Sequence, residues 1–462
     1  MESAVHLKAG SGRYVEPDNY GSNVLNGEQS AAGRRAATAL LILAMPLIGA
    51  SFLSKLAIPG FNIPGISLGF PLIYLALAWG AYRGDLIAIE WPRLMGLCLM
   101  AGTLGLASAL NADRVSATSL MLLMMLHLPY VFHIPGSERT RNTLLKFFLG
   151  SALIIALCGI AQFFAQMVLP AAYVFPIENF LPDALRVTGF NMQIPLSYGS
   201  TVYRANGIFM QEPSFFSQFL AVAILVELLT FNRIWIALVC GLAIIVSQSG
   251  TGLVLLGVGL PLLMIVRRRW DLLAGGLILL LLLALAGPLL HLDNLVGRIG
   301  EFGSTKSSGY ERFLGGFFVF ADTAGKEPLN MLFGYGAGNF RSVVQRAGYP
   351  ASEMALFKMV FEFGVIGAIA YFGFIFYCIF SARGPIVVRV VLALSLFLNG
   401  AYNTFMHSLA LSLLVWSSSS SSRPTFPETA NWSDAEGGQD LNSDHPDHRL
   451  PHKQNSRLQE LK

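Results

Sequence analysis

The stretch YRANGIFMQEPS (203–214) places an arginine and a glutamate just ahead of a long apolar segment. A guanidinium group pairs well with phosphate oxygens, and a carboxylate can orient or deprotonate a hydroxyl. Arg204 and Glu212 are therefore candidates for binding an anionic substrate and for acid–base chemistry. The stretch also fits a plain helix start, because Pro213 suits a first turn and Glu212 or Ser214 can accept from free N–H groups there.

Two more arginines lie in a later polar segment. Arg312 belongs to GYERF (309–313), and Arg341 follows FGYGAGNF (333–340). The alternating glycines resemble a nucleotide-binding loop, but that fingerprint needs a preceding strand, a following helix and a downstream acid, which the sequence does not indicate. We therefore predict a tight turn, and we expect Arg312 and Arg341 to contact an anion.

The segment PASEMALFKMVFEFGVIG (350–367) carries three charged residues where an apolar run begins. Charges are expensive at a membrane boundary, so they usually pair or serve a function. Lys358 and Glu362 are four residues apart, and a helix is predicted to pair them. Glu353 lies nearer the start of the segment and is predicted to be free to face a cavity.

Ser249 and His407 are two further candidates. Ser249 belongs to VSQSGTG (246–252), where glycines permit close backbone approach and several hydroxyls are available, although a plain turn explains the same pattern. His407 lies in YNTFMHSLALSLL, the last apolar segment. It is either a hydrogen-bond partner between helices or a site residue.

Membrane helices must position these residues. Of 462 residues, 54% are hydrophobic and 13% are charged, whereas soluble domains carry about 25% charged residues. About 20 apolar residues span a bilayer, and such runs recur along the chain. We predict an all-α polytopic membrane protein with about 12 transmembrane helices (10–12), at 36–53, 65–81, 94–111, 116–133, 147–169, 214–231, 234–248, 251–266, 271–291, 354–380, 387–400 and 404–417.

Lysine and arginine are shared unevenly between alternate loops. One set of loops carries most of them, while the short loops of the other set hold little more than Lys55 and Arg114. Cytoplasmic loops are rich in Lys and Arg, so the N-terminus, and with an even number of spans the C-terminus, are predicted to be cytoplasmic. The two long loops, about 170–213 and 292–353, then lie on the outer face, where 307–325 can form an interfacial helix.

Three parts follow from this topology. They are a cytoplasmic N-terminal tail (1–35), a transmembrane domain (36–417) and a polar, serine-rich cytoplasmic tail (418–462) that is predicted to be disordered. The net charge of +4 is small and does not indicate nucleic-acid binding. The chain has no H-E-x-x-H or Walker motif and no D-x-D pair in the predicted outer loops, so we predict neither a metal nor a cofactor.

Taken in order, these motifs resemble the O-antigen ligase and polymerase (Wzy-like) superfamily. The motifs are RANGIF-x-x-EPS leading into a helix, S-x-S-x-T-G, an outer loop with an arginine and G-x-G-x-G-N-F, and FEFGVIG. The Glu-Pro-Ser form is most similar to the exopolysaccharide polymerase branch, and the resemblance covers roughly 36–417. Relatives carry a His-Asn or His-Ser pair where this chain has Ala351, Ser352 and Glu353, and often an arginine near the position of Gly250.

The resemblance implies a GT-C-type membrane fold and metal-independent glycosyl transfer. The implied substrate is an undecaprenyl-diphosphate-linked oligosaccharide, transferred to a growing chain at the periplasmic face of the bacterial inner membrane. Membrane lipid and a chain-length-regulating and export complex are the other implied partners. The leaving diphosphate carries negative charge, so cations would stabilise the transition state.

The resemblance assigns a role to two arginines, and the chemistry of glycosyl transfer suggests roles for four other residues. Arg204 and, with a looser match, Arg312 correspond to the family's arginines and are expected to hold the diphosphate. Either Glu212 or Glu353 is expected to orient or deprotonate the acceptor hydroxyl. The rings of Tyr310 and Tyr335 are expected to stack on sugars.

Two alternatives stay open. One is O-antigen ligase-type transfer, and the other is a transporter or flippase of the lipid-linked oligosaccharide. Transporters often show internal repeats and charged sites at the membrane midplane. This sequence shows no convincing repeat, and most of its notable charges lie in the predicted outer loops, which favours surface chemistry.

Overall fold

The computed structural model describes residues 19–61, 63–84, 86–111, 115–197, 199–272, 276 and 308–417. There the regular secondary structure is helical apart from one short antiparallel pair, β1 (Ala88–Ile89) with β2 (Phe132–His133). The helices are α1 (Asn19–Phe52), α2 (Gly69–Tyr82), α3 (Trp91–Ala109), α4 (Ala117–His127), α5 (Glu138–Ala165), α6 (Ala171–Val174), α7 (Pro176–Phe180), α8 (Pro213–Thr230), α9 (Ile234–Val246), α10 (Gly250–Arg267), α11 (Ser308–Phe313), α12 (Gly315–Asp322), α13 (Pro328–Phe333), α14 (Phe340–Ala347), α15 (Ala355–Ser381), α16 (Ile386–Leu398) and α17 (Thr404–Ala410).

This is the architecture of a multi-pass all-α membrane protein. Six helices are long and apolar enough to cross a membrane: α1 from Gly33 onward, α3, α5, α8, α10 and α15. Shorter apolar helices are α2, α9, α16, α4 with its continuation to Val131, and α17 with its π-helical continuation to Val415. These eleven match eleven of the predicted spans, and the total of 12 and the GT-C type stay predictions.

Some of the predicted boundaries were wrong or fall outside the structure. Helix α5 begins at Glu138 rather than 147, because Ser137 accepts from the N–H of Thr140 at 3.1 Å and starts the helix ahead of the apolar run. The predicted span 271–291 lies almost entirely outside the described residues. So do both ends of the chain (1–18 and 418–462) and the start of the second long loop.

Helix α8 is the central helix of the bundle. Its residues are buried without a break from Pro213 to Glu227, and it packs against α5, α9, α10 and α16. A helix that is apolar all round belongs inside a bundle. Since Pro213 occupies the first turn and fixes the start of the helix, the bundle core determines where Glu212 is held.

The connections between the helices fall at two ends of the bundle. The loop end contains the turns 53–68, 110–116, 166–212, 247–249, 308–354 and 399–403, and it is held together by bonds such as Ser116 N–H to the Ala337 carbonyl (2.9 Å) and Ala355 N–H to the Asn399 carbonyl (2.7 Å). The arginine end contains the turns 83–90, 128–137, 231–233, 268–271 and 382–385. The Lys- and Arg-rich loops of the topology prediction therefore share one end.

Candidate active site

A cavity of about 590 Å³ opens at the loop end, between the starts of α8 and α15. Its walls come from segments far apart in sequence: 64–65, 189–191, 212–215, 311–312, 340–345, 351–358 and 398–403. Four of the residues predicted from sequence line it, namely Glu212, Arg312, Arg341 and Glu353. A concave site with a few convergent polar groups is the usual form of a substrate site.

One wall is built around Glu212. The residue occupies the position before α8, but its side chain does not cap that helix as predicted. The carboxylate instead accepts from the Asn191 N–H at 3.1 Å and from the Ser214 hydroxyl at 3.0 Å. Both donors are neutral, so the negative charge of Glu212 faces the cavity without a described cation at ion-pair distance.

Arg312 supplies positive charge near this wall. It lies on the short helix α11 and is half-buried. Burial lowers the pKa of Arg312, and the nearby carboxylate of Glu212 opposes that shift. An arginine keeps its charge in either case, so this side of the cavity combines a guanidinium and a carboxylate.

A second wall is a row of alternating charges. The Nε of Arg341 donates to Glu353 at 2.6 Å, and the Nζ of Lys358 lies 3.6 Å from the other oxygen of Glu353. Lys358 also donates to Glu362 at 2.8 Å, which confirms the predicted pair. Glu353 faces the cavity, but the prediction that it would be free was wrong, because two cations hold it.

These contacts fix the ionisation of Glu353. Burial raises the pKa of the carboxyl, but the charge of Lys358 and the hydrogen bond and charge of Arg341 lower it more, so the pKa lies below its ordinary value. A carboxylate with a lowered pKa is a weaker base. Glu353 is therefore better suited to hold the two cations in place than to accept a proton.

A break in α15 positions this second wall. Gly364 has φ of 70° and ψ of −175°, which interrupts the helix. Just before it, the carbonyls of Phe361 and Glu362 accept from the N–H groups of Tyr335 and Gly336, each at 2.8 Å. A Cβ on Gly364 would overlap the carbonyl group of Leu332, so only glycine allows this close approach.

The FGYGAGNF motif is therefore a docking loop. It lies against the break in α15 on one side and the α3–α4 turn on the other, where the Asn111 side chain donates to the Gly334 carbonyl at 3.1 Å. The predicted tight turn is confirmed, since Gly334, Gly336 and Gly338 all have positive φ. The motif is followed directly by α14, so its docking sets the position of Arg341.

The turn between α16 and α17 completes the cavity, and the sequence reasoning missed it. Asn399, Tyr402 and Asn403 line this part. The Tyr402 ring lies 4.9 Å from the Nζ of Lys358, and its hydroxyl donates to the Ser119 carbonyl at 3.0 Å. The sequence feature that could have identified it is the polar run NGAYN (399–403) between two apolar spans. Such a run is easily taken for a simple connecting loop.

Arg204 lies outside the cavity. Its guanidinium donates to the Leu196 carbonyl at 3.3 Å, and its N–H donates to the Ile194 carbonyl at 2.9 Å. The structure thus separates it from Glu212, with which the sequence paired it. In the same motif Asn206 is fully buried and bonds to Gln162, so this half of the motif holds the loop together.

Ser249 belongs to a packing contact between helices. It is buried, and its hydroxyl lies 3.1 Å from that of Thr251. Thr251 in turn donates to the Ser214 carbonyl at 3.1 Å, and the Gly252 N–H donates to Ser217 at 3.1 Å. The S-x-S-x-T-G motif therefore joins α8 to α10 and does not line the cavity.

The two tyrosines and the histidine also lie outside the cavity. Tyr310 is buried and stacked on Phe318, and the Tyr335 hydroxyl donates to Glu327 at 3.2 Å. His407 is buried beneath the cavity floor, where its Nε2 lies 3.1 Å from the Ala401 carbonyl. A carbonyl only accepts, so Nε2 carries the hydrogen and Nδ1 accepts from the Tyr130 hydroxyl at 2.8 Å.

The sequence GISLG (65–69) has the G-x-S-x-G spacing of a hydrolase nucleophile and was overlooked in the sequence. That motif needs an exposed serine on a sharp turn between a strand and a helix. Here Ser67 is buried at the start of α2, and its hydroxyl accepts from the Gly69 N–H at 3.3 Å. The segment 65–69 therefore has the spacing of the motif but not the exposed serine that the motif requires.

Among the described residues, no three His, Cys, Asp or Glu side chains cluster as a metal site would require. No protein-family model matches this chain, and no curated protein is detectably similar to it.

Proposed function

We propose that this protein transfers lipid-diphosphate-linked oligosaccharides to a growing polysaccharide chain, as an exopolysaccharide polymerase of the Wzy-like superfamily. The observation that carries the proposal is the cavity that joins Glu212, Arg312, Arg341 and Glu353. Glycosyl transfer from a diphosphate needs positive charge at the leaving group and a carboxylate near the attacking hydroxyl. This cavity offers both.

The charge distribution supports an outer-face location. The arginine end carries the Arg-rich turns, such as those containing Arg233, Arg267 and Arg268, and positive charge favours the cytoplasm. The loop end and its cavity then face the periplasm of a bacterial inner membrane, with both termini in the cytoplasm. Undecaprenyl-diphosphate-linked sugars would meet the cavity there.

In this proposal the two walls of the cavity have different tasks. Arg312 and Arg341 bind the diphosphate, and Arg341 is reachable because most of its side chain is exposed. Glu212 orients and deprotonates the acceptor hydroxyl, since only neutral donors among the described residues bond to it. Glu353 holds Arg341 and Lys358 rather than acting as the base.

A flippase fits the described residues less well. A transporter site lies near the membrane midplane and is reached from both sides in turn. The cavity, by contrast, is lined by residues at the loop-end tips of the helices and by the loops themselves. Its position favours chemistry at one surface.

Arg312→Ala tests the proposal in a deletion strain that expresses the variant. We expect loss of polymer and accumulation of single lipid-linked repeat units on the outer side of the membrane. The matched control is Arg346→Ala, an exposed arginine on α14 whose Nε donates to the Ser342 carbonyl. Immunoblots of membranes establish that both proteins are present in equal amounts.

Other outcomes would overturn the proposal in distinct ways. Repeat units that accumulate on the cytoplasmic side would indicate a flippase. Finished polymer that fails to reach its acceptor would indicate a ligase. Normal chain growth in Arg312→Ala would remove Arg312 from the mechanism, and normal growth in Arg204→Ala is expected because Arg204 lies outside the cavity.

A further inference from the structure

A second pocket of about 330 Å³ lies beside the main cavity. It is lined by residues of the first long loop, among them Glu178, Arg186, Thr188 and Gln193. Phe190 lines both this pocket and the main cavity. The two spaces therefore share one wall, the segment 188–191.

The floor of the second pocket is rigid. Glu178 is buried and accepts from the Nζ of Lys55 and from the Asn206 side chain. The loop is tied to the α1–α2 turn, because the Val187 N–H donates to the Lys55 carbonyl at 2.9 Å and the Ala57 N–H donates to the Leu185 carbonyl at 2.9 Å. A ligand here would meet a preformed surface.

The same pocket has unused hydrogen-bonding capacity. Among the described residues, Oε2 of Glu178 has no hydrogen-bond partner although it is buried. The side chains of Thr188 and Gln193, which line the pocket, make no hydrogen bond within the described part of the chain either. Oε2 of Glu178 is itself closed off from the pocket, but the Thr188 and Gln193 side chains are accessible and can bond to a hydroxylated ligand.

The charges of this pocket balance. Lys55 pairs with Glu178, and Arg186 pairs with Asp183. A second diphosphate would gain no net attraction from them, whereas uncharged hydroxyl groups can bond to carboxylate, amide and hydroxyl partners together. Phe190 adds a ring against which the apolar face of a sugar packs.

We infer that the second pocket binds a sugar of the acceptor saccharide. This inference rests on the proposed function and places the acceptor relative to Glu212. Asn191, whose N–H donates to Glu212, lies three residues from Thr188, a span of at most about 10 Å because the chain bends at Gly189. A short oligosaccharide with one hydroxyl at Glu212 would extend across Phe190 into the pocket.

Two probes separate the inference from the proposed function. The full-length protein in detergent is titrated with inorganic diphosphate, and separately with the lipid-free oligosaccharide released by mild acid from the cell's own lipid-linked repeat units. Thr188→Val combined with Gln193→Ala should weaken oligosaccharide binding about tenfold and leave diphosphate binding unchanged. Arg312→Ala should do the opposite.

The control is Ser197→Ala combined with Thr201→Val, two exposed residues of the same loop that line neither space. It should bind both probes as the unaltered protein does. Unchanged oligosaccharide affinity in the Thr188→Val and Gln193→Ala variant, or a wild-type protein that binds diphosphate but no oligosaccharide, would overturn the subsite alone. A wild-type protein that binds neither probe would overturn the proposed function with it.

Discussion

Two carboxylates, Glu212 and Glu353, line the main cavity, and their surroundings differ. Glu212 is bonded by a backbone N–H and a hydroxyl, both neutral. Glu353 is bonded by Arg341 at 2.6 Å and lies 3.6 Å from the charged group of Lys358. In the sequence these two glutamates look alike. Each precedes an apolar helix, and each has an arginine or a lysine within eight residues along the chain.

The different partners of the two carboxylates suggest a different role for each in the proposed reaction. Among the described residues no cation lies at ion-pair distance from Glu212, whereas Lys358 and Arg341 lower the pKa of the Glu353 carboxyl. In the proposed reaction Glu212 is therefore the candidate base, and Glu353 is the residue that holds the cations. The four experiments that follow test this contrast.

The largest effect is expected for Glu212→Gln. The substituted amide keeps the size of the side chain but cannot take a proton, so chain growth should fall about 10²–10⁴-fold. The rate is measured with purified protein and lipid-linked repeat units. Asp322→Asn, an exposed acid paired with Lys326, is the control and should be close to normal.

Gly364→Ala should destabilise the protein and displace the segment of α15 that forms the second wall. The new Cβ would overlap the carbonyl group of Leu332, and alanine disfavours φ of 70°. Together these effects should cost about 2–5 kcal/mol in the free energy of unfolding. Thermal unfolding in detergent measures the loss. Gly373→Ala is the matched control on the same helix, because its added Cβ meets nothing within 4 Å; an equal loss there would refute the docking role of Gly364.

Glu353→Gln should have a smaller effect and a different signature. The amide still accepts a hydrogen bond from Arg341, but it gives up the charge that holds Arg341 and Lys358. We expect the concentration of lipid-linked substrate at half-maximal rate to rise about tenfold, with a modest change in maximal rate. A collapse of the maximal rate instead would make Glu353 the base and reverse the contrast.

The smallest expected signal is a shift of the pH profile in Arg341→Gln, which comes in addition to the loss of diphosphate affinity that removing this arginine should cause. The pKa of Glu353 is lowered in the folded protein, so its charge is fully present above the ordinary value of 4.5 and is lost only as the pH falls through the lowered value. Removing Arg341 removes part of that lowering. Substrate binding should therefore weaken at a higher pH than in the unaltered protein.

The shift is measured from half-saturating concentrations at pH values on both sides of 4.5. Arg346→Gln, on the same helix, should leave the profile in place. A profile that does not move in Arg341→Gln would show that Lys358 alone sets the ionisation of Glu353.

The length of the apolar runs and the four-residue spacing of charged side chains on a helix made much of this fold predictable. Runs of about 20 apolar residues specify membrane helices, and the spacing of Lys358 and Glu362 specified their pair. The loop-end residues Arg312, Arg341 and Glu353 were also identified, because charges beside apolar helices are few in this chain.

The remainder depends on contacts between distant segments. Arg204 and Arg312 look alike in sequence, but one bonds to loop carbonyls and the other lines the cavity. The FGYGAGNF loop bonds to the carbonyls that precede the break at Gly364. No local sequence pattern connects these two segments. The second pocket likewise depends on how residues 183–193 return to the α1–α2 turn, which a single sequence does not encode in any local signal.

The break at Gly364 has a consequence for biogenesis. When α15 enters the bilayer it carries the carbonyls of Phe361 and Glu362 without their usual helical partners, and open backbone acceptors are costly in lipid. The N–H groups that satisfy them, on Tyr335 and Gly336, are synthesised earlier and must be in place as the helix settles. We therefore expect the insertion of α15 and the docking of the loop to be coupled.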